Sequence, residues 1–188
     1  MKKVLVSIFV IAMVLSWSHR AACQASTSLN DQLIAAATNG DTAMVQQLLA
    51  KGANIDAKDN DGDTALSDAA GFGNVEVVKL LLAKGANIEA KGHKGKTALM
   101  AAAATGQTEI VKLLLAKGAN IEAKNEDGDT ALMWAVTYTQ TEVVNLLLDK
   151  GANIDAKDND GKTVLIVAAS LGPGYNDIVK LLRERGAH

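Results

Sequence analysis

Aromatic residues are few in this 188-residue chain: two Phe, two Tyr and two Trp, 3% of the total. A core with so few rings must be built from Leu, Ile, Val and Ala. That leans toward helices packed closely over Ala and away from a β-sandwich, where aromatic and β-branched residues dominate. Proline and cysteine occur once each. A single thiol excludes an intrachain disulfide framework and a cysteine-rich zinc site. Neither sign of charge is in surplus, with 19 Lys+Arg against 21 Asp+Glu and a net charge of −2. That balance gives no support for nucleic-acid binding, and no nucleic-acid partner is expected. The remaining composition, 48% hydrophobic and 21% charged, is that of a folded chain and not of a long disordered one. The length suits one domain, or a domain plus a processed segment.

Long apolar runs are also scarce. One stands out, the 14 residues from Val4 to Trp17, interrupted by Ser7 and Ser16. A comfortable membrane span needs about 20 residues. Lys2 and Lys3 precede the run, and Ala21-Ala22-Cys23-Gln24-Ala25 follows it. A basic start, an apolar stretch and then small residues is the layout of a secretory signal peptide. Residues 1–25 are assigned that role, with cleavage after Ala25 and cleavage after Cys23 as the second option; an uncleaved anchor or a buried helix is the competing reading. A lipid anchor on Cys23 is the lesser alternative, because Arg20 stands where lipoprotein signals favour Leu. Cleavage after Ala25 leaves no cysteine, and the mature chain is then indifferent to an oxidising compartment. It also leaves 16 basic against 21 acidic residues, a net −5. The expected location is periplasmic or secreted, with no membrane span after processing.

The rest of the chain repeats itself. Lys-Gly-Ala-Asn starts at 51, 84, 117 and 150, each 33 residues after the last. A second series keeps the same step: Gly62-Asp63-Thr64-Ala65-Leu66, Gly95-Lys96-Thr97-Ala98-Leu99, Gly128-Asp129-Thr130-Ala131-Leu132 and Gly161-Lys162-Thr163-Val164-Leu165. Residues 51–62 and 150–161 are identical. Two series in register define a supersecondary unit that recurs along the chain.

The unit reads as helix, turn, helix, turn. Thr64 is an N-cap candidate, since its hydroxyl can accept a free backbone N–H. Ala65 to Phe72 then forms a short helix, and Gly73 breaks it by adopting a positive φ. Val75 to Lys84 is a second helix, with Gly85 at the left-handed position past its end. A hairpin-like connection leads to the next Thr. The second helix has only Glu76, Lys79 and Ala83 as a polar or small stripe. A lone amphipathic helix would show a wider polar face; a helix with neighbours on both sides would not. Stacked repeats predict that pattern, and they predict polar substitutions at the ends. Gln47 stands where Leu80 and Leu113 recur, and Arg183 where Leu82 and Leu115 recur. The last helix–helix link, Gly172-Pro173-Gly174-Tyr175-Asn176, is two residues longer than the others.

These residues resemble the ankyrin repeat over about residues 29–188. The family's pattern stands here as Gly95-Lys96-Thr97-Ala98-Leu99-Met100-Ala101-Ala102-Ala103, Gly106, Glu109-Ile110-Val111-Lys112-Leu113-Leu114-Leu115 and Gly118-Ala119-Asn120. The resemblance implies an all-α solenoid of about five helix-turn-helix units with hairpin-like connecting turns. The units are about 29–57, 58–90, 91–123, 124–156 and 157–188, within a domain 26–188. Three departures are consistent. Ala65, Ala98, Ala131 and Val164 replace the family's Pro. Ser67, Met100, Met133 and Ile166 replace its His, which removes the Thr–His ladder between units. Thr139 replaces the inter-helix Gly and predicts a strained or reshaped turn. Together they suggest lower stability than an idealised array.

The resemblance further implies a protein partner, bound on the concave face made of hairpin tips and first helices, and no enzymatic activity. A monomer is expected. The tips are 58–63, 91–96, 124–129 and 157–162, with formal charges of −2, +3, −2 and 0. Phe72 and Tyr138 occupy one repeat position and Trp134 lies a turn before Tyr138. The candidate binding residues are therefore Phe72, Trp134 and Tyr138 with the charged tips His93, Lys94, Lys96, Glu126, Asp127 and Asp129; aromatic anchors with a charged rim are what binding hot spots look like. Trp134 can equally pack within the helix layer, and tip charges can simply be solvated. An adaptor or an inhibitor such as a bacterial immunity protein fits this pattern; a metal-dependent accessory factor or enzyme of the cell envelope is the alternative. Asp59-x-Asp61-Gly62-Asp63 has the look of a calcium loop, but aligning it on Gly62 puts Ala57 at the first ligand position. No cofactor or metal is expected. The mature chain has only His93 and His188 and no nucleophile–base pair at a motif spacing.

Overall fold

The computed structural model describes residues 28–187. The expected signal peptide, with Cys23, and the final residue His188 lie outside the described residues. Within them ten α-helices form five antiparallel pairs. They are α1 (Leu29–Thr38) and α2 (Thr42–Ala50), α3 (Ala65–Gly71) and α4 (Val75–Ala83), α5 (Ala98–Thr105) and α6 (Thr108–Ala116), α7 (Ala131–Thr137) and α8 (Thr141–Asp149), and α9 (Val164–Ser170) and α10 (Asn176–Glu184). Phe72 and Lys84 turn out to be C-caps, one residue past the helices in which the sequence places them.

The first helix starts on Ser28 in the first pair and on a threonine in each of the other four. Thr64, Thr97 and Thr130 accept from the amides of Ser67, Met100 and Met133 at 3.2, 3.4 and 3.4 Å. At the first of these the partnership is reciprocal, because Thr64 N–H donates to Ser67 Oγ at 2.9 Å. Thr163, in the last pair, makes no such cap, and its hydroxyl is buried without a partner.

The first helices form the centre of the stack, and α3, α5 and α7 pack most closely on one another. Alanine makes this possible: Ala65, Ala69, Ala70, Ala98, Ala102, Ala103, Ala131 and Ala135 are all at most 2% exposed. With only a methyl group between them, two backbones approach closely and still fill the interior without voids. The second helices each bury one apolar stripe, Val77-Val78-Leu81, Ile110-Val111-Leu114 and Val143-Val144-Leu147. Among the described residues no aromatic ring belongs to the buried core; Trp134 packs against it from the side. Gln47 and Arg183 are exposed on their helices.

Two ladders of polar bonds tie consecutive pairs together in place of the missing Thr–His ladder. In the first, a carboxylate of one unit accepts the Asn amide of the next. Asp56 takes Asn87 N–H at 2.9 Å, Glu89 takes Asn120 N–H at 2.8 Å and Glu122 takes Asn153 N–H at 2.8 Å. In the second, residues that cap second helices reach back to the previous first helix. Asn74 Nδ2 donates to the carbonyls of Ala37 and Thr38, both at 2.8 Å, and Gln140 Nε2 to that of Ala104 at 3.3 Å. Gln140 lies over Gly106 so closely that a Cβ there would collide with Gln140 Oε1. The inter-helix glycine is therefore required twice, by its φ of 76° and by the side chain above it.

The last pair departs from this rule in two linked places. Its helix cap is Tyr175, delivered by the longer Pro173–Tyr175 turn, and its hydroxyl donates to the Thr137 carbonyl at 2.7 Å. Thr137 occupies the repeat position of Thr38 and Ala104, so Tyr175 makes the same bond by a longer reach. No amide then covers the preceding turn, and Thr139 occupies it at φ 57° with its side chain exposed. The turn keeps the left-handed backbone and the closing bonds of its glycine counterparts, so of the strained or reshaped turn expected there it is the strained form that occurs.

Candidate protein-binding face

The hairpin tips are built on one repeated turn. Its ends are closed by backbone bonds from Asp59 to Asp63, Gly92 to Lys96, Asn125 to Asp129 and Asp158 to Lys162, at 2.7–3.1 Å. In three of these turns the first residue is Asp or Asn, and its Oδ1 gathers two amides: Asp59 those of Asp61 and Asp63, Asn125 those of Asp127 and Asp129, Asp158 those of Asp160 and Lys162. This is the Asx turn, which lets a short polar side chain stand in for backbone.

The second tip has Gly92 at that place. Asp63 of the preceding tip fills the gap: a Cβ on Gly92 would strike its Oδ1, and that oxygen accepts His93 N–H at 3.0 Å. His93–Gly95 becomes a 3₁₀ turn with Lys94 at φ 51°. His93 is exposed, with Nδ1 2.9 Å from the Asp61 carbonyl. Lys96 is half-buried, 3.9 Å from Asp63. The tips are also joined to each other. Glu126 N–H donates to the Lys94 carbonyl at 3.0 Å, Asn159 N–H to the Asp127 carbonyl at 3.0 Å and Asn159 Nδ2 to the Glu126 carbonyl at 2.7 Å. Lys91 and Lys124 reach one unit onward to the carbonyls of Lys124 and Lys157.

Beside the tips the first helices expose a recurring position. Phe72 is 65% exposed, Tyr138 51% and Leu171 44%, with Thr105 between the first two. Trp134 is half-buried and stacks on Tyr138, ring centroids 5.8 Å apart and planes 11° from parallel. Its indole N–H is buried without a partner. Both readings of Trp134 thus apply to one side chain, which packs on the core and also contributes to the surface. A small open cavity of about 120 Å³ lies there, lined by Asp129, Met133, Trp134, Thr137 and Tyr138. Three of the residues singled out in the sequence, Asp129, Trp134 and Tyr138, come together in it. Glu126 and Asp127 are exposed on the same tip outside the cavity. Phe72 is two units away, and His93, Lys94 and Lys96 belong to the tip that leans on Asp63.

The electrostatics of the face are acidic on both sides of that basic tip. Burial pushes the Asp129 carboxyl above its usual range; a bond from Asn125 pulls it back, and Asp127, Asp158 and Asp160 push it further up. A larger cavity of about 420 Å³ nearer the first pair includes Asp31, Thr38, Asp59, Asp61 and Asp68. Asp68 is raised likewise, by burial first and then by Asp63 and Asp59, against a bond from Thr38 and the charge of Lys96. The sequence reading missed this second cavity and the parts of Met133 and Thr137. One mark of it was present: Asp68 and Trp134 share a repeat position with Ala101 and Val167, so each is an outsized or charged residue on a face otherwise small and apolar. Among the described residues no group of three or more His, Cys, Asp or Glu stands where it could hold a metal ion. Nor, among them, is any helix long and apolar enough to cross a membrane.

Stacked helix pairs with tied hairpin tips define the chain as a helical-repeat scaffold. The particular scaffold follows from comparison with known proteins. Residues 33–125 and 120–188 match the family described as ankyrin repeats (3 copies), and the chain belongs to that family. Two ankyrin repeat proteins of Rickettsia felis are each 54% identical to it over 43 residues. That stretch is 23% of this chain and 68% and 65% of theirs. Ankyrin repeats generally serve as protein–protein interaction modules and not as enzymes.

Proposed function

We propose that this protein is an exported interaction module, periplasmic or secreted, that acts as a monomer and holds a protein partner on its tips and first helices, as an adaptor or an inhibitor such as an immunity protein. One observation carries the binding reading. In a stack whose buried core contains no aromatic ring, Trp134 and Tyr138 are stacked together at the surface beside a charged tip. Interface hot spots favour such rings, which bring large contact area at low entropic cost. Export rests on the basic, apolar and small-residue order of residues 1–25.

The binding reading is tested by isolating the partner from envelope extract with the intact array and titrating it against Tyr138→Ala. The variant should bind about tenfold or more weakly, as hot-spot truncations do, with an unchanged melting temperature because Tyr138 is outside the core. Equal affinity sinks the proposal. Mass spectrometry of the purified protein tests export: a mature N-terminus at Ser26 agrees, and a retained Met1 does not.

A further inference from the structure

We propose that the cavity between Asp129, Trp134 and Tyr138 receives an arginine side chain of the partner, with the guanidinium against the aromatic surface and its N–H groups on the Asp129 carboxylate. This rests on the binding-face reading above and gives that face a chemistry. The cavity combines two features that select a cation. Its rings present π surface, which attracts positive charge. Its one charged group is a carboxylate that none of the ion pairs among the described residues neutralises; a 3.4 Å bond from Asn125 Nδ2 is what the Asp129 carboxylate accepts among them. Asp127, Asp158 and Asp160 act on that carboxylate with the same sign, so an arriving cation relieves repulsion as well as pairing. The basic tip does not supply it, because Lys96 is turned to Asp63.

Arginine suits the place better than lysine. The guanidinium is planar, stacks on rings, is weakly hydrated and meets a carboxylate through two parallel bonds; an ammonium is compact and keeps its water. The remaining lining fits the aliphatic stem, since Met133 and Thr137 offer an apolar and a small polar wall. An acidic or purely apolar side chain would leave Asp129 unpaired under a closed interface, which is costly.

The repeat itself supplies variants that keep the fold. Asp129 shares its position with Lys96 and Lys162, Trp134 with Ala101, and Tyr138 with Thr105. Asp129→Lys, Trp134→Ala and Tyr138→Thr thus introduce residues that the same helix or tip already carries elsewhere, and thermal melts verify each. Short random peptides displayed on phage are selected on the intact chain and counter-selected on the Trp134→Ala/Tyr138→Thr double variant. The expected peptides carry arginine. Their affinity falls about tenfold or more when that arginine is replaced by citrulline, its uncharged isostere, and similarly on Asp129→Lys. Peptides that need the two rings but tolerate citrulline or Asp129→Lys overturn this inference and leave the binding face standing. If no peptide prefers the intact chain to the double variant, both are overturned.

Discussion

Thr139 is a β-branched residue held at φ 57°, a conformation in which its Cβ crowds the backbone. Its counterparts Gly73 and Gly106 carry no such strain. Thr139→Gly should raise stability by about 1 kcal/mol, the strain relieved less the extra freedom that glycine brings to the unfolded chain. A higher urea midpoint at unchanged slope would show it. Asp68 stores a different conflict. Its carboxyl is raised mainly by burial, with Asp63 and Asp59 adding to the effect. The folded state therefore holds that proton more tightly than the unfolded state does. Stability from this group is greatest below the ordinary carboxylate range and declines as pH climbs through the raised value. Asp68→Asn keeps an oxygen for the Thr38 hydroxyl, which donates to Asp68 at 3.0 Å. Melting curves across the acidic range should show the variant more stable than the parent at neutral pH and less dependent on pH. Thr139 was legible in the sequence because a missing glycine breaks a visible register. Asp68 was not, because its environment comes from Thr38 in one unit and from Asp59 and Asp63 on a tip.

At the scale of the element, the helices are nearly all readable from periodicity, and the errors are confined to caps such as Phe72 and Lys84. Hydrophobic spacing marks which helix residues are buried, and the Thr and Gly positions mark the ends. The ladders are less readable. Glu89 and Glu122 look like ordinary surface charges until the next unit's Asn120 and Asn153 are brought against them. The same holds for Asp129 and Trp134, five residues apart in sequence but on a tip and a helix that only folding brings together. The extended turn before α10 joins both categories, because its length shows in the sequence and its purpose only in the Tyr175–Thr137 bond. Tyr175→Phe keeps the ring and removes that bond. It should cost about 0.5–1.5 kcal/mol, measured as a drop in unfolding free energy. An equal loss for Tyr175→Phe and Tyr175→Ala would show that the hydroxyl carries the whole contribution of the side chain.

Across the whole molecule, stability is distributed along one dimension, since each pair touches only its neighbours. The described pairs differ in how well they are covered. Ser67, Met100 and Met133 are buried at one repeat position, but Ile166 at that position is 49% exposed. Thr163 adds an unpartnered buried hydroxyl to the same pair. Amide hydrogen exchange should therefore be slowest in α5–α8 and faster in α9 and α10. Uniform protection along the stack would contradict that gradient. The tips impose no comparable gradient. Asp63, Lys96, Asp129 and Lys162 sit at one repeat position, and each closes its turn through the same carbonyl whatever the side chain. Sign therefore changes there while the closing bond is kept, although the Asp63 side chain also holds the next tip through the His93 amide; bulk likewise varies at Asp68, Ala101, Trp134 and Val167. The array therefore separates what holds it together from what it displays, like movable type in a fixed frame. A chain of this kind can come to recognise a new partner one character at a time, since the displayed residue changes while the closing bond stays.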